Sequence, residues 1–177
     1  MRFDFARFLA NNGEAVEALK WAHQLMADDP SDVAVWQFGG QVALGQPDFI
    51  EFARDWTSEA VKLHPNVPTL SEQRATTLLL SGELDEALPL WRQLGESNPT
   101  AVAARLICEA GSGVALSSVG AASSTAKVNE AFVLWYRRLL LFSATKAVLA
   151  VNARVEELRS FVPAAANVIG AAMAAAA

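Results

Sequence analysis

Apolar residues recur along the chain at helical spacing, and short polar breaks rich in Gly, Pro, Asn and Asp interrupt them. Three X-Pro pairs mark the main breaks, with spacings of 65 − 30 = 35 and 99 − 65 = 34 residues: Asp29-Pro30, His64-Pro65 and Asn98-Pro99. Proline lacks an amide donor and restricts the residue before it, so a helix tends to end there. The sequence therefore predicts an all-α repeat with a period of about 34 residues.

Each repeat has a second break roughly midway between its prolines. These breaks are Asn12-Gly13, the segment 45–48 and Ser81-Gly82. Glycine and asparagine tolerate the left-handed backbone that ends a helix, so each repeat is predicted to be two helices joined by a tight turn.

Residues with side-chain oxygens follow each X-Pro pair and are predicted to cap the next helix. Ser31 and Asp32 follow the first pair, Thr69 the second and Thr100 the third. Thr69 and Glu72 also have the spacing of a capping box.

The second helices of the three repeats share a pattern of one small and one large residue. Alanine is followed at i+3 or i+4 by tryptophan in the pairs Ala18 and Trp21, Ala53 and Trp56, and Ala87 and Trp91. Small residues let helices approach closely, and large ones fill the space beyond them. We therefore interpret Trp36, Trp56 and Trp91 as core residues and not as platforms for a ligand.

These units resemble tetratricopeptide repeats, whose pattern runs W-x2-L-G-x2-Y, then A-x3-F, then P. The second unit matches at Trp36, Gly40, Ala53 and Pro65, with Gly39 in place of the leucine and Ala43 in place of the tyrosine. The third unit matches at Ala75 (in the glycine position), Ala87, Trp91 and Pro99, and the first at Ala6, Ala18 and Pro30. The resemblance implies a superhelix of about three hairpins over residues 1–110, followed by additional C-terminal helices.

The resemblance also implies a function, because first helices line the concave side of such arrays. It places a binding groove at Phe3, Arg7, Gln37, Gln41, Glu72 and Thr76. One branch of the family holds a peptide's C-terminal carboxylate with Lys and Asn residues, but only Arg7 is basic in this set. The expected partner is a protein or peptide segment, without a carboxylate clamp.

The period is lost after residue 110. Residues 111–127 are rich in Gly, Ser and Ala, which predicts a flexible linker. An apolar stripe from Val128 to Leu158 predicts one long bent helix, or two helices that meet near 143–145, and Pro163 precedes an alanine-rich last helix. We expect residues 128–177 to be a cap, an interface between copies of the chain, or a junction to a missing domain.

The alanine-rich ending suggests that this sequence is part of a longer chain. That leaves an alternative function: the non-catalytic N-terminal repeat module of a larger enzyme, such as a bacterial glycosyltransferase with tetratricopeptide repeats. The likeness lies only in the arrangement of a repeat array followed by a helical connector, since the chain has no sugar-nucleotide motif.

Composition narrows the partners and the location. The apolar fraction of 53% excludes a wholly disordered chain, and a net charge of −5 with scattered basic residues disfavours nucleic acid. Asp4 interrupts what would be the apolar part of a signal peptide, and neither 139–151 nor 162–177 is a credible membrane span. We expect a cytoplasmic protein.

Candidate catalytic residues are sparse. His23 and His64 lie in different repeats, and Cys108 lies in an apolar helix with no histidine nearby in sequence. A cluster of three aspartates at positions 28, 29 and 32 could attract a metal ion, but its place between two helices favours capping and turn formation. The sequence predicts neither an enzyme by itself nor a metal or cofactor site.

Overall fold

The computed structural model of the chain describes residues 1–95, 97–119 and 124–176, and every regular element in this part is a helix. The predicted all-α fold is therefore confirmed. The chain forms two compact units, Met1–Thr77 and Leu78–Ala177, whose boundary falls inside the fifth α-helix.

The first unit consists of helical hairpins. Its helices are α1 (Arg2–Asn11), α2 (Ala15–Asp28), α3 (Val33–Ala43), α4 (Ile50–Leu63) and the part of α5 (Pro68–Leu80) up to Thr77. A short 3₁₀ turn, Pro47–Phe49, precedes α4. Helix α1 packs on α2, α2 on α3 and α3 on α4, so each helix covers the apolar face of its neighbour.

Two tryptophans form the centre of the first unit's core. Trp36 is 1% and Trp56 5% exposed, and their ring centroids are 4.6 Å apart. The indole N–H of Trp56 donates to the carbonyl of Trp36, and that of Trp36 donates to the carbonyl of Pro30, both at 2.8 Å. The core interpretation of these residues is confirmed, and burial of each large side chain stabilises the unit by about 1.5 to 3 kcal/mol.

Two adjacent glycines on α3 face neighbouring helices, and Gly39 lets α4 approach α3 closely. A Cβ atom on Gly39 would lie 2.4 Å from the ring of Trp56, and one on Gly40 would lie 2.3 Å from Oε1 of Gln73. At Gly39 the buried Trp56 ring would have to shift, whereas at Gly40 only the flexible end of the Gln73 side chain would. Gly39, in the place of the repeat's leucine, thus makes room for the tryptophan of the next helix.

Two of the predicted turns are glycine-capped helix ends. Gly13 and Gly82 have φ of +84° and +76°, and the residue after each donates back to the preceding helix, Glu14 to the Leu9 carbonyl at 2.9 Å and Glu83 to the Leu78 carbonyl at 2.8 Å. This is the Schellman arrangement, which satisfies carbonyls left free at a helix end. The predicted breaks at Gly13, 45–48 and Gly82 are confirmed.

The predicted caps are only partly correct. Asp32 caps α3, since its carboxylate accepts from the Ala34 amide at 2.9 Å. Thr69 and Thr100 do not cap, because α5 begins at Pro68 and α7 at Pro99. Proline is well suited to the first helical position, so each helix begins earlier than expected, and the Asn98 side chain accepts from the Thr100 amide at 3.0 Å.

The described residues of the second unit form six further helices. They are α6 (Leu84–Gln93), α7 (Pro99–Gly111), α8 (Thr125–Leu141), α9 (Thr145–Ala153), α10 (Val155–Phe161) and α11 (Ala164–Ala176). Helix α7 packs against α6, α8 and α9, and α11 packs against α8 and α10.

The segment predicted as a flexible linker makes hydrogen bonds to α7 where it is described; residues 120–123 lie outside the described part. Ser117 donates from its amide and its hydroxyl to the buried Glu109 carboxylate, at 2.8 and 2.7 Å. Arg154 donates to the Glu109 carbonyl at 3.1 Å. Glu109 therefore holds this segment against α7. Arg154, which follows the last residue of α9, is hydrogen-bonded to the same residue.

The stripe that follows forms more helices than predicted. Helix α8 ends at Leu141, Ser143 has φ of +53°, and α9 begins at Thr145, which confirms the break near 143–145. A second break at Arg154 separates α9 from α10 and was not predicted. The alanine-rich helix after Pro163 is confirmed as α11. None of the helices in the described part is long and apolar enough to cross a membrane.

Candidate functional site

A surface cavity of about 330 Å³ lies between α1 and α3 in the first unit. It is lined by Arg7, Ala10 and Asn11 from α1, Ala15 from α2, Phe38, Gln41 and Val42 from α3, and Gly45 and Gln46 from the turn after α3. Helix pairing produces this cavity, because small residues at positions 10, 15 and 45 leave space where α1, α2 and α3 meet.

Polar donors from two helices line the cavity. Arg7 and Asn11 are exposed and one helical turn apart, so they share a face of α1. Arg7 makes no ion pair with any other described residue, and its guanidinium carbon lies 6.0 Å from the ring centroid of Phe3. The exposed carboxamide of Gln41 reaches the same cavity from α3. Guanidinium and carboxamide groups together suit a carboxylate or a peptide carbonyl.

Helix α3 also gives the cavity an apolar lining, part of which is held by aromatic packing. Phe38 is half-buried and meets Phe3 edge to face, with ring centroids 5.4 Å apart and an interplanar angle of 82°. Val42 follows one turn later on α3. The cavity thus offers an apolar surface beside hydrogen-bond donors, the combination found in most ligand sites.

The structure brings some of the predicted groove residues together and separates others. Arg7 and Gln41 line the cavity, and Phe3 supports it through Phe38. Gln37 is half-buried and donates to the Thr69 hydroxyl, while Glu72 is half-buried on α5. Both lie outside the cavity lining.

Thr76 is buried and does not belong to the candidate site. Only 7% of it is exposed, because this position of α5 faces the packed interior. Its side chain is therefore removed from the proposed contact surface.

Sequence reasoning missed Asn11, Phe38 and Gln46 as cavity residues. The i+4 spacing of Asn11 from Arg7 was a usable signal, since it places both on one face of α1. Phe38 and Gln46 gave no such signal, because their positions depend on how α3 and its turn meet α1.

The aspartate cluster forms a turn, as expected. The Asp29 carboxylate accepts from the Ser31 amide at 3.0 Å and the Ser31 hydroxyl at 2.6 Å, and these bonds hold the pKa of Asp29 below its usual value. Asp28 pairs with Arg2 at 2.8 Å. In the described ranges, no three His, Cys, Asp or Glu side chains are grouped so that they could hold a metal ion.

The lone cysteine is buried. Cys108 is 0% exposed, and desolvation raises the pKa of its thiol far above the usual value, with the nearby Glu109 carboxylate adding to the shift. A neutral, inaccessible thiol does not act as a nucleophile.

Hairpins that recur with alanine and tryptophan in register, joined by glycine turns, define a tetratricopeptide-like helical-repeat protein. The resemblance seen in the sequence is thereby confirmed at the level of the fold. No family model matches the chain, and no curated protein matches it in sequence.

A solved structure agrees with this class. The crystal structure of YrrB, described as a TPR protein with an unusual peptide-binding site, superposes with a TM-score of 0.58 at 16% sequence identity. The match covers 94% of this chain and 84% of YrrB. At this identity the likeness concerns the fold.

Proposed function

We propose that this chain is a protein-interaction scaffold that binds an extended or helical segment of a partner protein at the cavity between α1 and α3. The observation that carries the proposal is the convergence of Arg7, Asn11 and Gln41 on a cavity with an apolar wall at Phe38. The peptide-binding site described for YrrB supports a ligand of this class. The proposal includes a cytoplasmic location and no catalytic step.

The cavity chemistry favours a segment with a carboxylate, held by one arginine and neighbouring carboxamides and not by the Lys and Asn clamp that one branch of the family uses. Arg7 and Asn11 supply donors one turn apart, and hydrogen bonds to a charged group contribute about 1.5 to 3 kcal/mol each. The volume of about 330 Å³ suits one side chain or a chain end, not a folded surface. We infer that the carboxylate meets Arg7 and that a neighbouring apolar group packs on Phe38.

The carboxylate has two sources, the partner's C-terminus or an Asp or Glu side chain. We would use two sets of random peptides, one displayed with free C-termini and one displayed inside a loop. Each set would be selected for binding to the full chain. Selected peptides would then be synthesised as free acids, as C-terminal amides and with acidic residues changed to amides. Fluorescence polarisation of these forms shows which carboxylate is bound.

Variants at the cavity test the site itself. Arg7→Ala and Asn11→Ala are each expected to weaken binding of a selected peptide by about tenfold or more, because a charge-assisted bond is lost. Lys20→Ala is the matched control. Lys20 is exposed on α2, forms an ion pair with Glu17 at 2.6 Å and does not line the cavity. Equal affinity for wild type and both cavity variants, with unchanged circular dichroism, would refute the proposal.

A further inference from the structure

The exposed face of α8 carries a stripe of residues spaced alternately by three and four. Its members are Lys127, Glu130, Leu134, Arg137 and Leu141, all exposed. Leu134 and Leu141 are each 61% exposed, far more than leucines that serve a core. Leu134 and Leu141 are seven residues apart, the interval at which apolar residues recur on a helix face that packs along another helix.

The unit's own core uses the opposite face of the same helix. Val128, Phe132, Trp135 and Leu139 are between 0% and 4% exposed. The stripe on the other face is therefore surplus to the packing of the second unit.

A recess lies directly beside the central leucine of the stripe. It is an open groove of about 370 Å³ between α8 and α11, lined by Asn129, Glu130, Val133, Leu134 and Ala164. Its edge is fixed, because the Asn129 side-chain oxygen accepts from the Ala164 amide at 2.9 Å. The same face therefore offers a protruding apolar side chain and a groove that can receive such a side chain.

The charges of the stripe are arranged about the same leucine. Glu130 and Arg137 form no ion pair with other described residues, and their mean position is (130 + 137)/2 = 133.5, half a residue from Leu134. At 1.5 Å per residue this offset is about 0.75 Å along the helix axis. If two copies of α8 pack antiparallel about Leu134, Glu130 of each copy faces Arg137 of the other. Parallel packing would instead bring like charges together.

We propose that a second copy of this chain docks on this face, with the α8 helices antiparallel and each Leu134 in the groove of the other copy. The face is complementary to itself under two-fold rotation, which is what an isologous dimer requires. Only one helix and one groove per copy take part, so we expect a dissociable dimer. All of its residues lie in the second unit, so the proposal does not depend on the peptide cavity.

Sedimentation equilibrium of the full chain over a wide concentration range tests the dimer. The wild type is expected to show a concentration-dependent monomer–dimer equilibrium, and Leu134→Asp is expected to be monomeric throughout. Leu149→Asp is the control, since Leu149 is 64% exposed on α9 and lies off the stripe. A monomeric wild type, or a dimer indifferent to Leu134→Asp, overturns the proposal.

Charge reversal tests the antiparallel register. Glu130→Arg and Arg137→Glu should each weaken dimerisation by about tenfold, because two attractive pairs become repulsive. An equimolar mixture of the two variants should regain the wild-type dissociation constant, since every facing pair is again oppositely charged. Loss of folding cannot produce this recovery, and its absence contradicts the register.

Discussion

Alanine at the crossing points of helices is the residue choice that closes the hairpins. Ala53 and Ala87 are both 0% exposed, and each lies one turn before the tryptophan of its helix, Trp56 or Trp91. A methyl group lets the neighbouring backbone approach, while the indole fills the space one turn further on. Protein cores are close-packed, so a larger side chain at these positions must displace its neighbours.

Enlarging either alanine should therefore destabilise the protein. Ala53→Leu or Ala87→Leu is expected to lower the free energy of unfolding by about 1 to 3 kcal/mol through overpacking. Urea denaturation followed by circular dichroism measures the change. Ala34→Leu, at an exposed position of α3, is the control with little expected effect. Buried variants as stable as this control would contradict the repeat register.

Helix ends in this protein depend on single residues with a left-handed backbone. Gly13 and Gly82 end α1 and α5, and Ser143 adopts the same region after α8 with φ of +53°. Side chains other than glycine cost about 1 kcal/mol or more in that conformation. The positions of the helix ends therefore depend on a few backbone conformations as well as on apolar stripes.

Two glycines with opposite roles test this point. Gly13→Ala should lower the free energy of unfolding by about 1 kcal/mol, because alanine disfavours φ of +84°. Gly170→Ala should raise it by about 0.5 to 1 kcal/mol, because Gly170 lies within α11 and an added Cβ meets nothing within 4 Å. Chemical denaturation of both variants measures the pair, and shifts of the same sign would argue against this reading of the turns.

The element order was largely predictable from sequence, whereas some helix ends were not. Glycine and X-Pro breaks located the hairpins, because those residues act through local backbone geometry. The break at Arg154 was invisible, because the apolar stripe keeps its phase from Val151 to Val155 and Leu158 across it. Likewise α6 ends at Gln93, well before Pro99, with Gly95 at φ of +90°.

The candidate site was less predictable than the fold. Arg7 and Gln41 follow from their places on first helices, as the family resemblance implies. Asn11 and Phe38 enter the cavity because of the way α1 meets α3, and Thr76 leaves the site because α5 turns it inward. Such facing relations depend on tertiary packing, which repeat spacing alone does not specify.

At the scale of the whole molecule, each unit carries one proposed interaction surface. The peptide cavity uses α1, α2, α3 and the turn after α3, and the dimer face uses α8 and α11. The two surfaces share neither a residue nor a helix. They should therefore behave as independent sites.

That independence can be measured. Leu134→Asp should leave the affinity for a monovalent peptide in solution within about twofold, and Arg7→Ala should leave the dimer dissociation constant equally unchanged, as substitutions at separate sites usually add. Solution measurements are needed because a dimer on an immobilised peptide gains avidity. A larger effect of either substitution on the other site would reveal coupling between the surfaces.

The tilted pair of indole rings in the first unit should give a circular dichroism signal that reports on the packing of that unit. Trp36 and Trp56 have ring planes at 47° and centroids 4.6 Å apart, so their electronic transitions couple and the paired states acquire opposite rotational strengths. Trp91 and Trp135 form a second such pair, at 5.5 Å and 72°, in the second unit. We therefore expect each unit to give an exciton couplet of its own, an intrinsic chiroptical label that is lost when its two rings separate.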